Sequence, residues 1–167
     1  NRVTTSSAEV TVAMSNGTLT GTTTVTAVNG IATFSGLGKY GSVSGTKVLT
    51  FTSGSLTQAQ QSAFTLTHGV ATQIALTTPA SGFVNRAAFS TQPVITIQDQ
   101  DGNTVASSTA TVTVTSTGSA TLGGTTTKAA VSGVANFSSN ALSLTGTAGA
   151  NTLAYSVSSP STFTTTQ

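Results

Sequence analysis

The sequence predicts an all-β protein made of two tandem Greek-key β-sandwiches, the first lacking its first two strands. Three observations carry this expectation. Composition is the first. Apolar residues make up 37% of the 167-residue chain and charged residues only 5%, with no cysteine and no tryptophan. An average soluble domain carries roughly 25% charged residues. Thr, Ser, Gly, Ala and Val fill the gap; Thr and Val suit a pleated surface and Gly marks turns. The second observation is patterning: short alternating apolar runs are punctuated by Gly, Pro, Asn and Asp, and no stretch has helical periodicity. The third is internal repetition.

Asn1, Val3, Ser6, Ala8, Val10, Thr11 and Val12 fall on Asn103, Val105, Ser108, Ala110, Val112, Thr113 and Val114, an offset of 102. After a one-residue insertion, Leu19, Gly21, Thr24, Val28, Gly30, Ala32, Phe34 and Ser35 fall on Leu122, Gly124, Thr127, Val131, Gly133, Ala135, Phe137 and Ser138. Leu49 and Phe51 match Leu153 and Tyr155, and SAFTLTH from Ser62 matches STFTTTQ from Ser161. The repeat is about 100 residues long, complete over residues 69–167 and partial over residues 1–68. The partial copy has no counterpart of the segment from Gly69 to Gly102. The chain therefore reads as a piece of a longer array. A sharper alternative is that a neighbouring subunit supplies the missing strands in trans, since an incomplete sandwich leaves an open edge.

Within the complete copy, residues 72–77 alternate with Ile74 and Leu76 on one face, and Pro79 and Gly82 end that strand. Val94, Ile95 and Ile97 make the next, closed by the Asp101-Gly102 turn. Residues 110–115 alternate strictly. Gly118 and Gly123-Gly124 bracket a short strand around Leu122, residues 125–130 lead to a turn at Ser132-Gly133, and residues 134–138 carry Ala135 and Phe137. Leu142 and Leu144 follow, then Gly146 and Gly149 precede residues 151–157, and residues 162–167 close the copy. Seven to eight short strands in this span are the pattern of a Greek-key sandwich. The first copy repeats the list without its first two strands, with Asn29-Gly30 in place of Ser132-Gly133.

The run from Ile95 to Phe137 resembles the bacterial Ig-like repeats of the invasin and intimin type. In those repeats a valine-rich strand meets a D-x-x-G-N-x-V turn, and a glycine-rich segment ends in a G-x-A-x-F/V strand. Asp99, Gly102, Asn103 and Val105 stand at the turn, and Gly133, Ala135 and Phe137 at the later strand. Asn1, Val3, Gly30, Ala32 and Phe34 keep the tail of the pattern in the first copy. The resemblance implies two tandem Ig-like sandwiches and the role of a spacer or stalk in a surface adhesin, or of a module in another surface or phage protein.

The acidic stretch ITIQDQDGNTV from Ile95 admits three chemistries. As a turn, Asp99 accepts hydrogen bonds from nearby backbone N–H groups, Gly102 takes positive φ and Asn103 ends the turn. A calcium loop needs six to eight oxygen ligands, and this copy offers two carboxylates and no closing Glu. A glycosidase pair needs two acids facing each other across a bond, whereas Asp99 and Asp101 sit two positions apart on one turn. The turn is the expected answer. Gly36, Gly38 and Gly41 spell G-x-G-x-x-G, but the sequence after them reads as loop and strand, not the helix a dinucleotide fingerprint requires. His68 is the only histidine and has no partners for a metal site or a triad. Phe83 and Phe89, near Arg86, lie in a loop that either plugs one end of the sandwich or presents a small contact surface. Lys39, Lys47 and Lys128 raise an isopeptide hypothesis, a buried Lys joined to an Asn with a carboxylate assisting; each copy has few acids, and Glu9 with Lys47 in the first copy is the pairing that stays open. Asn16 and Asn136 lie in N-x-S/T triplets.

The sequence thus predicts no catalytic, cofactor-binding or metal-binding residue and no cofactor; the protein is expected not to be an enzyme. The five basic residues (Arg2, Lys39, Lys47, Arg86, Lys128) and three acidic ones (Glu9, Asp99, Asp101) are scattered singly. That argues against nucleic acid, which needs a basic stripe, and against a membrane surface, which needs a basic cluster. No apolar run reaches membrane-span length, so membrane insertion is not expected. The expected partners are neighbouring copies of the same repeat or subunit, with a cell-surface receptor or glycan as the alternative. The expected location is extracellular or the cell surface, with a virion as the alternative.

Overall fold

The structure, a computed structural model, describes residues 1–158 and 162–167. It is all-β: fifteen strands and no helix among the described residues. Two compact units divide the chain, Asn1–Thr67 and His68–Gln167.

The second unit is a sandwich of two antiparallel sheets. One has the order β13-β10-β9, from Val134–Asn136, Val94–Gln98 and Gln73–Thr78. The other has the order β12-β11-β14-β15, from Thr127–Ala129, Thr111–Gly123, Ser143–Val157 and Phe163–Thr166. Strict alternation places Val112 and Val114 of β11 and Leu153, Tyr155 and Val157 of β14 on the inner face. They meet Ile95, Ile97, Ala135 and Phe137 of the opposing sheet in one core cluster. Full burial of a Val, Leu, Ile or Phe side chain contributes about 1.5–3 kcal/mol, and this unit holds most such residues.

Three features differ from the sequence expectation. Gly118, Gly146 and Gly149 do not end strands. β11 and β14 instead form one long hairpin whose register shifts once, between Gly118 and Ala120. Gly118 lies opposite Asn151 and Ala120 opposite Gly146, so residues 147–150 bulge out of β14. The Asn151 amide fills the gap: its Oδ1 accepts the Ala120 N–H at 3.1 Å and its Nδ2 donates to the Gly149 carbonyl at 3.0 Å. A ladder that loses backbone partners at a bulge is kept closed by a side chain.

The second difference concerns the matching C-terminal segments. Tyr155 pairs with Thr165 and Val157 with Phe163. In the first unit Phe51 pairs with Ala59 and Lys47 with Phe64. Phe64 and Phe163 therefore occupy different places on their ladders although their flanking residues match. A hairpin loop of different length sets a different register. The Ser161 end of that match lies outside the described residues.

The third difference is in the first unit. Its main sheet has the order β3-β1-β6-β7, from Thr24–Thr26, Glu9–Met14, Leu49–Thr52 and Ala59–Gln60. Two small ladders join β2 (Thr18–Thr20) to β4 (Gly38–Tyr40) and β5 (Thr46–Lys47) to β8 (Phe64–Thr65). The residues matching β13 are not a strand here. Their ladder neighbour in the other unit is β10, which has no counterpart in this one.

What the two units share most closely is a turn. Asn29 and Gly30 have φ of 51° and 73°, and Ser132 and Gly133 have φ of 50° and 77°. Positive φ at both central residues of a two-residue loop is the type I′ hairpin turn. Val28 exchanges both backbone hydrogen bonds with Ile31, and Val131 with Val134. In each unit the turn glycine donates its N–H at 3.1 Å to a serine carbonyl, Ser6 in one and Ser108 in the other. A Cβ on Gly133 would lie 2.5 Å from the Val105 carbonyl oxygen, and one on Gly30 would strike the Val3 carbonyl.

We expect Gly133→Ala to lower the stability of the second unit by about 1–3 kcal/mol, the cost of strained left-handed backbone with a clash added. Ser132→Asn, which imports the first unit's residue, should raise it by about 0.5–1 kcal/mol because Asn tolerates positive φ. Urea denaturation of the whole chain measures both; a neutral Gly133→Ala would refute the argument from the turn.

Candidate functional site

The acidic stretch folds as a turn. Asp99 is buried (4% exposed) at the end of β10. Its Oδ1 accepts the N–H groups of Asp101 at 3.0 Å and Asn103 at 2.9 Å, and its Oδ2 accepts that of Gly69 at 2.8 Å. The Asn103 amide donates to both oxygens, at 3.1 and 3.0 Å. Gly102 sits at φ 81°. Desolvation pushes the carboxyl up, but the Gly69 amide, the Asn103 side chain and the Asn103 and Asp101 amides outweigh it and hold the pKa at about 2, below the ordinary 3.8. Both oxygens are thus committed to donors of the protein itself. Asp101 is exposed beside it. No group of three or more acidic, His or Cys side chains is placed to hold a metal among the described residues.

The other single candidates stay apart. The G-x-G-x-x-G residues enter β4, which pairs with β2, so part of the expected loop is a strand; no helix follows. His68 contacts the carbonyl of Gly69 through Nδ1 at 2.9 Å. It borders an open groove with Val70, Ser107 and Thr109, and among the described residues no Asp, Glu, Lys or Arg lines that groove. Lys47 is buried, its ammonium donating to the Ser44 carbonyl. The β1–β6 register, Thr11 opposite Thr52 and Met14 opposite Leu49, places Glu9 and Lys47 at opposite ends of that ladder, too far for an isopeptide. Lys39 donates to the Tyr40 carbonyl at 3.0 Å, and Lys128 to Ser139 Oγ at 3.4 Å. Asn136 is exposed, as its alternation with buried Phe137 requires.

The loop between β9 and β10 buries one of its two phenylalanines and leaves the other exposed. Phe89 is buried and meets the ring of Phe83 edge-on, centroids 4.9 Å apart. Phe83 and Val84 remain exposed, beside Arg86 at φ 65°. The loop is tied to β14 by the Arg86 and Phe89 amides, which donate at 2.9 Å to the Leu144 and Leu142 carbonyls.

Sequence reasoning overlooked the amide side chains, which carry most of the polar architecture. Gln167 accepts the Ala80 N–H at 2.8 Å and donates to the Ala80 carbonyl at 2.6 Å. Gln92 does the same for Leu142, at 3.1 Å each way. Asn140, itself buried, donates to the carbonyls of Thr125 at 2.7 Å and Thr127 at 3.0 Å. Tyr155 is fully buried, and burial raises its pKa to about 12. The one available signal was an isolated Asn or Gln beside a turn or strand end in a chain otherwise poor in polar groups of that length.

Among the described residues the arrangement offers backbone-satisfying contacts and no group of three or more acidic, His or Cys side chains. No protein-family model matches the sequence, and no curated protein is significantly similar to it.

The Asp99 cluster makes stability depend on acid. Its folded pKa lies below the unfolded value, so its contribution is complete above about pH 4 and is lost as pH falls through about 2. We expect the second unit to weaken across that window in urea titrations. Asp99→Ala should cost about 2–4 kcal/mol at neutral pH, because four donors in part-buried hydrogen bonds lose a charged acceptor, and should flatten the acid dependence. Calcium should not raise the melting temperature of the native chain; a rise would show that the loop can exchange its internal donors for a cation.

Proposed function

We propose that this chain is a non-enzymatic extracellular structural repeat, of the bacterial Ig-like kind, serving in a stalk, filament or surface layer of adhesin type. The observation that supports it is selective duplication. The two units repeat a turn, its latch to a serine carbonyl and the glycine packed on a valine carbonyl. They do not repeat any cluster of reactive side chains. A module retained for spacing needs the first and not the second. Neighbouring copies of the same repeat are the partners this reading requires.

A second reading rests on the exposed Phe83 and Val84 beside Arg86. An apolar pair with one cation on a loop suits recognition of a receptor or glycan at a tip. Imaging of the native material separates the two. The structural reading expects these units at regular intervals along a polymer axis. A discrete particle carrying one copy at its tip would sink that reading, and loss of surface attachment in a Phe83→Ser, Val84→Ser variant would then support the second.

A further inference from the structure

The structure assigns a self-modification site to Asn16, Gly17 and Lys39: the Asn16 side-chain amide becomes a carboxylate by attack of the Gly17 backbone nitrogen, while Asn29, in the chain's other Asn-Gly pair, is protected. This does not depend on the stalk reading.

Most asparagines of this chain are committed. Asn85, Asn103, Asn136, Asn140 and Asn151 all hold partners through their side-chain amides. Asn16 and Asn29 are exposed, and their side chains form no hydrogen bond among the described residues. Both precede glycine, which has no Cβ to shield its nitrogen.

The two pairs differ at that nitrogen. The Gly30 N–H donates to the Ser6 carbonyl at 3.1 Å within the type I′ turn. The Gly17 N–H donates to nothing among the described residues. The repeat gives the reason. At the offset of 103 Gly17 matches Ala120, whose N–H is held by Asn151 Oδ1 at 3.1 Å. At the offset of 104 Asn151 matches Lys47, and an ammonium cannot accept a hydrogen bond. A substitution between the copies has thus removed the acceptor. Lys39 adds a second feature, its Nζ lying 3.2 Å from where a Cβ on Gly17 would stand. A cation beside that peptide favours the negative charge that gathers on the nitrogen as its proton leaves.

The chemistry needs only water. The Gly17 nitrogen loses its proton to solvent and bonds to Asn16 Cγ. The Cγ–Nδ2 bond breaks, and Nδ2 takes up a proton and leaves as ammonia. Water then opens the five-membered imide at either carbonyl, giving aspartate or isoaspartate. Each conversion adds a carboxylate to a unit whose one acid is Glu9.

The test incubates the intact native chain at mildly alkaline pH, then digests it with trypsin. Fragmentation of the peptide Val3–Lys39 by mass spectrometry locates the gain of a carboxylate, because that peptide holds both asparagines. Asn16 should convert at least about fivefold faster than Asn29, the protection one backbone hydrogen bond gives. In denaturing urea the two rates should converge. Lys39→Gln should slow Asn16 about twofold or more and leave Asn29 unchanged. No conversion at Asn16, equal rates in the folded chain, faster conversion at Asn29, or the same bias kept in urea would each overturn the proposal. An Asn16 rate unmoved by Lys39→Gln would strike the lysine from the site.

Discussion

The latch between a type I′ turn and the segment ahead of the first long strand is the constraint on which the sandwich depends. In the second unit Ser132-Gly133 is where the chain leaves the four-stranded sheet at β12 and enters the three-stranded sheet at β13. Val105 and Ser108 lie where it crosses back, between β10 and β11. One glycine joins the two crossings: its N–H reaches the Ser108 carbonyl, and its bare α-carbon rests on the Val105 carbonyl. Two sheets held at a common corner can bury their facing side chains only in one alignment. The Ala130 N–H, bound to the Ala110 carbonyl at 3.0 Å, extends the corner by one rung, and Ala27 with Ala8 repeats it at 2.9 Å.

The remainder of the polar economy follows from having so few charges. With 5% charged residues, loops and bulges cannot be pinned by ion pairs, and an unpaired buried backbone group costs about 1–3 kcal/mol. Asn and Gln resolve this because one planar amide both donates and accepts, as a peptide unit does. Gln167 on Ala80 and Gln92 on Leu142 each mimic a ladder rung where no strand runs. The Lys47 ammonium turned onto the Ser44 carbonyl is a cationic variant of the Asn151 contact with Gly149.

Period-two patterning and turn residues made most of this legible. Residues 72–77 and 151–157 read as alternating and 94–97 as a short apolar run, and they became β9, the inner half of β14 and β10. The Asp99 turn was readable because Asp, Gly and Asn at those spacings have one local solution. Glycines misled where they sat inside a hairpin: Gly118 at φ 125° and Gly146 at φ 151° relieve a bulge instead of ending strands, and sequence spacing does not distinguish those uses. The hairpin register at Phe51 was illegible because a change in loop length moves pairing without changing the strand residues. The amide clamps were hidden for a related reason: their partners are main-chain groups as far away as Ala80 is from Gln167, and a backbone carbonyl leaves no mark in a sequence.

The Gly69–Asp99 contact has a mechanical meaning. Gly69 is the second residue of its unit, and the next backbone tie inward is the Thr72 N–H on the Gln98 carbonyl. A pull arriving from the preceding chain therefore meets an ionised carboxylate before it meets any β-ladder. The entry to the unit is held by one charged side chain, with the β9–β10 ladder behind it.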